Sequence, residues 1–135
     1  MNTISERVVV AAQSRYMLAQ AERILAGLDD GHLSLEPKPG MKTAGWLIGH
    51  LAVTGDFARR LCGRESLCPK EWRATFNPGT QPSLDPTVYP PLAVLRDRLR
   101  AVYSDLSGAF SSAEESALGA PNPYGPARDG FPTLA

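Results

Sequence analysis

Apolar residues recur at Leu92, Leu95, Leu99, Val102, Leu106, Ala109 or Phe110, and Ala113, an unbroken alternation of three and four, with Arg96, Asp97, Arg98 and Arg100 outside it. That spacing suits a helix of about six turns burying one face. Pro90 and Pro91 stand just ahead of it, where a missing N–H costs little, and Asp85 or Thr87 is the expected cap.

Two further helices are predicted. The first spans residues 3–28 on a stripe of Ile4, Val8, Ala11, Leu18, Ala21, Leu25 and Leu28, with a gap at Ser14 and Arg15. Gly27 and the "DDG" of Asp29 to Gly31 end it, and Pro37 and Pro39 bar its continuation. The second begins near Thr43, a plausible N-cap, and runs to Gly63. Its expected inward stripe is Leu47, His50, Leu51, Thr54, Phe57 or Ala58, and Leu61, with Asp56 pointing away. Gly45 and Gly49 share a face, and each costs about 1 kcal/mol of helix propensity relative to alanine, so close approach of another segment is expected there.

Residues 64–90 hold five prolines and the turn "NPGT", too long a stretch for an ordinary connection. The segment is an ordered excursion if Trp72 and Phe76 are buried. The tail from Leu118 reads as a Pro and Gly loop, and "FPTLA" as the start of a fourth helix. The fold class is therefore all-α: one helical bundle domain over residues 1–135, with three long helices and the start of a fourth.

Lys plus Arg and Asp plus Glu each number 14, for a formal charge of zero. A phosphate-binding surface needs more positive charge, so no nucleic-acid partner is expected. The apolar run at Val8–Ala12 is only five residues long, so neither a membrane span nor a targeting segment is expected, and a cytoplasmic location follows. Cys62 and Cys68 match no redox or zinc-knuckle spacing and are read as reduced thiols. Asp29, Asp30 and Glu36 read as solvated charge, and Arg59, Arg60 and Arg64 as complements to a helix dipole, an anion site being the sharper alternative.

The stretches "ILAGLDDGHLSLEPKPGMKTAGWLIGHLAVTGDFARRLCG", "WRATFNPGTQPSLDPTVYPPLAVLRDRL" and "GFPTLA" resemble the DinB-like (YfiT-like) metalloenzyme family along essentially the whole chain. The resemblance implies a four-helix bundle, commonly dimeric, with a divalent metal, zinc or nickel, on three histidines. One ligand lies on helix two at the position matching His50, and the other two form an HxxxH pair on the last helix. Characterised relatives include thiol-dependent S-transferases and a mycothiol-dependent isomerase. This sequence departs from the pattern. It contains no HxxxH, its other histidine is His32 in the loop before helix two, and it ends near where the family's last helix begins. A complete three-histidine site is thus not expected within these 135 residues.

Two readings of His50 stand side by side. In one it is a metal ligand, with Trp46, Leu47 and Phe57 as walls or supports of a pocket for a small-molecule or thiol substrate, in a relative of metal-dependent transferases or hydrolases. In the other it is a core or interface histidine of a non-catalytic, self-associating module. The uncovered bundle face favours a homodimer in either case.

Overall fold

A computed structural model describes residues 6–113. The predicted loop from Leu118 and the helix start at "FPTLA" lie outside the described residues, as does Ile4 of the first stripe. Four helices follow one another: α1 (Glu6–Leu25), α2 (Ala44–Leu61), α3 (Trp72–Phe76) and α4 (Leu92–Ser112). No strand occurs among the described residues, and none of the helices is long and apolar enough to cross a membrane.

The predicted α4 stripe is the spine of the fold. Leu92, Leu95, Leu99, Val102, Leu106, Ala109 and Ala113 are all buried, Ala109 taking the position left open between it and Phe110. Both α1 and α2 pack along α4, and α3 rides on α2. The expected cap is replaced. Pro91 occupies the cap position and offers no side-chain acceptor, so Asp30 in the loop after α1 accepts the Leu92 N–H at 2.7 Å. Asp85 instead accepts the Thr87 N–H at 2.9 Å and caps a single 3₁₀ turn at Pro86–Val88. Asp30 is therefore a structural acceptor rather than merely solvated charge.

Helix α1 is shorter than the predicted 3–28, closing at Leu25. Its gap at Ser14 is filled: Ser14 is buried, and its hydroxyl donates to the Val10 carbonyl at 3.1 Å, which satisfies the polar atom in place. The buried line thus runs Ala11, Ser14, Leu25, while Val8 faces solvent.

Helix α2 starts as predicted, with Thr43 Oγ1 accepting the Trp46 N–H at 3.3 Å, but its inward face is not the expected one. Leu47 and Leu51 are 44% and 37% exposed, Thr54 is exposed and His50 half-buried. The buried face is Gly45, Ile48, Gly49, Ala52, Val53, Gly55, Asp56 and Arg59. Small residues decide the orientation, because large partners enter where a Cβ is missing. A Cβ at Gly49 would stand 2.4 Å from the Phe76 ring, one at Gly45 2.7 Å from the Tyr89 ring, and one at Gly55 2.8 Å from Tyr103 and Val102. Trp72 and Phe76 are indeed buried, and they make α3, a turn of helix not anticipated within the proline-rich excursion.

Asp56, expected to point away from the core, is 3% exposed inside it. Its Oδ1 accepts Arg59 Nη1 at 2.7 Å and the Leu67 N–H at 2.9 Å; its Oδ2 accepts the Ser66 hydroxyl at 2.6 Å and the Cys68 N–H at 3.1 Å. Arg59 also reaches Asp105 of α4 at 2.7 Å and the Glu65 carbonyl at 2.9 Å. This is more than a helix-dipole role: a buried ion pair bolts α2, α4 and the start of the excursion together. Burial pushes the Asp56 carboxyl up, but the hydrogen bonds from Ser66, Leu67, Cys68 and Arg59 outweigh it and hold the group below its ordinary value.

This packing makes three predictions. Gly49→Ala should destabilise the fold by about 2 kcal/mol in urea denaturation, since the Phe76 ring must move, and by less in a Phe76→Leu background. Gly108→Ala, where an added Cβ meets nothing within 4 Å on an exposed stretch of α4, should instead stabilise by up to about 1 kcal/mol. For Asp56→Asn the expected loss at pH 7 is about 3 kcal/mol, because Arg59 loses its buried carboxylate partner and keeps only the half-exposed Asp105. A carboxyl whose folded pKa is depressed stabilises above its unfolded pKa, and that stability disappears as pH falls through the folded value. The gap between wild type and Asp56→Asn should therefore narrow below about pH 4; a gap independent of pH would refute the charge-based account.

Candidate functional site

His50 lies at the middle of α2, on the edge facing the excursion. Trp46, one helical turn earlier, stacks beneath it with ring centroids 4.5 Å apart and planes 11° off parallel. Trp46 is itself fixed from both sides. Its Nε1–H donates to Thr80 Oγ1 at 2.9 Å, and Lys42 Nζ stands 4.6 Å from its ring centroid. Thr80 closes the predicted "NPGT" turn, in which Gly79 takes φ +89° and the Thr80 N–H donates to the Asn77 carbonyl at 3.1 Å. The tryptophan thus ties the end of α3 to α2 directly beside the histidine.

The consequence is a defined tautomer. Phe76, seated in the Gly49 notch, turns its carbonyl oxygen to His50 Nδ1 at 2.8 Å. A carbonyl only accepts, so Nδ1 carries the hydrogen, and in a neutral ring Nε2 holds the lone pair. The Thr54 hydroxyl donates to the His50 carbonyl within the helix and leaves the ring alone. A histidine whose Nδ1–H is held by a backbone carbonyl while Nε2 is left available is the arrangement that orients an imidazole as a metal ligand.

The other expected participants separate. His32 sits in a 3₁₀ turn at Asp30–His32, where its Nδ1 accepts the Asp29 N–H at 2.9 Å and completes a capping box, so its ring serves the loop. Leu47 turns to solvent, whereas Phe57 lines a cleft on the excursion side of α2. Both cysteines are free thiols. Burial, then the Asp56 carboxylate, pushes the Cys68 thiol up to about 12, so it supplies no thiolate at neutral pH. Among the described residues no three His, Cys, Asp or Glu side chains come close enough to hold a metal ion. His50 fits a ligand role, but the described residues do not assemble a donor set around it.

Two features of this region were beyond sequence reasoning. The Phe76 carbonyl is a backbone atom and carries no residue signature. Arg73 and Asn77, which face α2 across the cleft, lie in a segment whose helix was not foreseen. The Trp46–His50 stack, by contrast, has the four-residue spacing that brings side chains together on a helix.

Comparison with curated proteins and with solved structures found no match. A family model described as the DinB superfamily matches residues 13–135, and the structure has the all-helical architecture that this membership implies. With that match covering most of its length, the chain belongs to the DinB superfamily.

Proposed function

We propose that the chain is a DinB-superfamily domain of the metal-dependent, transferase-like kind, in which His50 supplies one ligand to a divalent ion through Nε2. The observation that carries this reading is the 2.8 Å bond from Nδ1 to the Phe76 carbonyl, which orients the ring and reserves Nε2. Residues 6–113 of one chain do not by themselves complete the donor set. A divalent ion in such a site lowers the pKa of a bound water or thiol and so supplies a nucleophile near neutral pH. The chain's own part is to hold His50 between the Trp46 ring and the Phe76 carbonyl. The test is metal content per chain by elemental analysis after exchange into zinc and, separately, nickel. Wild type should retain a stoichiometric ion at one per chain or one per two chains, and His50→Ala should lose it with unchanged helical circular dichroism. Wild-type protein free of metal, or retention by the variant, would refute the ligand assignment.

A second reading, a non-catalytic module that self-associates, is favoured by a separate observation. Leu51 borders an apolar groove between α1 and α2 with Met17, Leu18 and Ala21, floored by Leu99 and Tyr103 of α4. Leu47 and Met17 are substantially exposed beside it. A second copy seated there would weaken its binding about 30-fold on Leu51→Glu, measured by sedimentation equilibrium. Equal association of wild type and variant would exclude this face as the dimer contact.

A further inference from the structure

On the opposite flank of α2 from that groove, a cleft of about 330 Å³ opens between α2 and the segment that follows it. Val53, Thr54 and Phe57 form its α2 side, and Cys68 and Pro78 close it from the excursion, so its interior is largely apolar. Its volume lies at the small end of the range for pockets that hold organic ligands.

The charge around this cleft is unbalanced. Asp56 contributes to the lining, but both carboxylate oxygens are occupied by Arg59, Ser66 and two backbone N–H groups, so its charge is spent inside the fold. Arg59 is likewise consumed by Asp56 and Asp105. Arg60 and Arg73 remain, one from each side of the opening. Among the described residues neither has a carboxylate partner or a side-chain hydrogen bond, and Arg60 leans over the Phe57 ring, its guanidinium carbon 5.9 Å from the centroid. Arg73 is half-buried at the rim, with its guanidinium still open to solvent and to an incoming anion. The Asn77 carboxamide lines the same opening, also without a partner.

The geometry points to a binding site for a small amphiphilic organic anion: an aromatic or aliphatic body against Val53, Phe57 and Pro78, and a carboxylate, sulfonate or phosphate held by Arg60 and Arg73. This assignment does not rest on a metal at His50, because no atom of that ring lines the cleft.

The test pairs two fluorescent probes of nearly the same shape that differ in charge: 8-anilinonaphthalene-1-sulfonate and uncharged N-phenyl-1-naphthylamine. Both are titrated into wild-type protein and into Arg60→Gln, Arg73→Gln and Met17→Glu. The sulfonate should bind with one-to-one stoichiometry and weaken with added salt. Each arginine variant should weaken it about tenfold while leaving the uncharged probe within twofold, and Met17→Glu in the other groove should change neither. Thr54→Trp, at an exposed position of the lining, should displace both probes by filling the cleft. Far-ultraviolet circular dichroism and urea midpoints establish that each variant is folded. Sulfonate binding that survives both arginine substitutions, that is lost with Met17→Glu instead, or that is absent in folded wild type would overturn the assignment.

Discussion

A phenylalanine ring resting on a glycine is the contact on which the rest of this structure turns. With no Cβ at Gly49, the Phe76 ring approaches the α2 backbone more closely than any other residue there would allow. That approach sets which face of α2 is inward, since Ala52, Gly45 and Gly55 are the other small residues on the same side and receive Leu33, Tyr89, Val102 and Tyr103. It also decides where the α3 backbone runs, and therefore where the Phe76 carbonyl points. The tautomer of His50 is thus a consequence of packing at the residue beside it. A helix of small residues loses propensity at each glycine, and the aromatic burial it admits offsets that loss.

The excursion is fastened at two ends by different chemistry. Near α3 the fastening is aromatic and neutral: Trp46 to Thr80, Phe76 against Gly49, and Tyr89 linked to buried Thr43 at 2.9 Å and to the Ser83 N–H at 3.0 Å. Near the end of α2 it is ionic, with Asp56 and Arg59 taking the backbone of residues 65–68 and Arg98 of α4 donating to the Leu67 carbonyl at 2.9 Å. The buried charges are affordable only because every lone pair of Asp56 is met. Between these two fastenings the excursion stands off from α2, and the cleft is the space that remains.

How far the residues announce this arrangement differs from helix to helix. The α4 stripe is legible because each of its inward positions is a large aliphatic or an alanine, so periodicity and burial coincide. On α2 they diverge. Leu47, Leu51 and Leu61 have the right spacing and the right hydropathy, yet the inward face combines Trp46, Ile48 and Val53 with three glycines, an alanine, an aspartate and an arginine. A hydropathy pattern weighs the side chains a helix owns; here the orientation is set by side chains it lacks and by the aromatic residues of another segment. The glycine pair at Gly45 and Gly49 did carry the clue, as an expectation of close approach, but not the identity of what approaches. The Asp56–Arg59 pair has an ordinary three-residue spacing, and nothing local separates a solvated pair from a buried one.

The reassigned face of α2 changes what His50 can do. On the stripe predicted from hydropathy it would stand between leucines in the core, where an imidazole needs internal partners for both nitrogens and is closed to anything arriving from outside. On the observed edge Nδ1 is tied by a backbone atom that side-chain substitution does not remove, and the ring is half-buried rather than enclosed in the core. The stack on Trp46 fixes the ring plane at no cost in polar burial, because the indole N–H has its own acceptor in Thr80. Orientation of the ring is thus built into the fold before any ligand arrives.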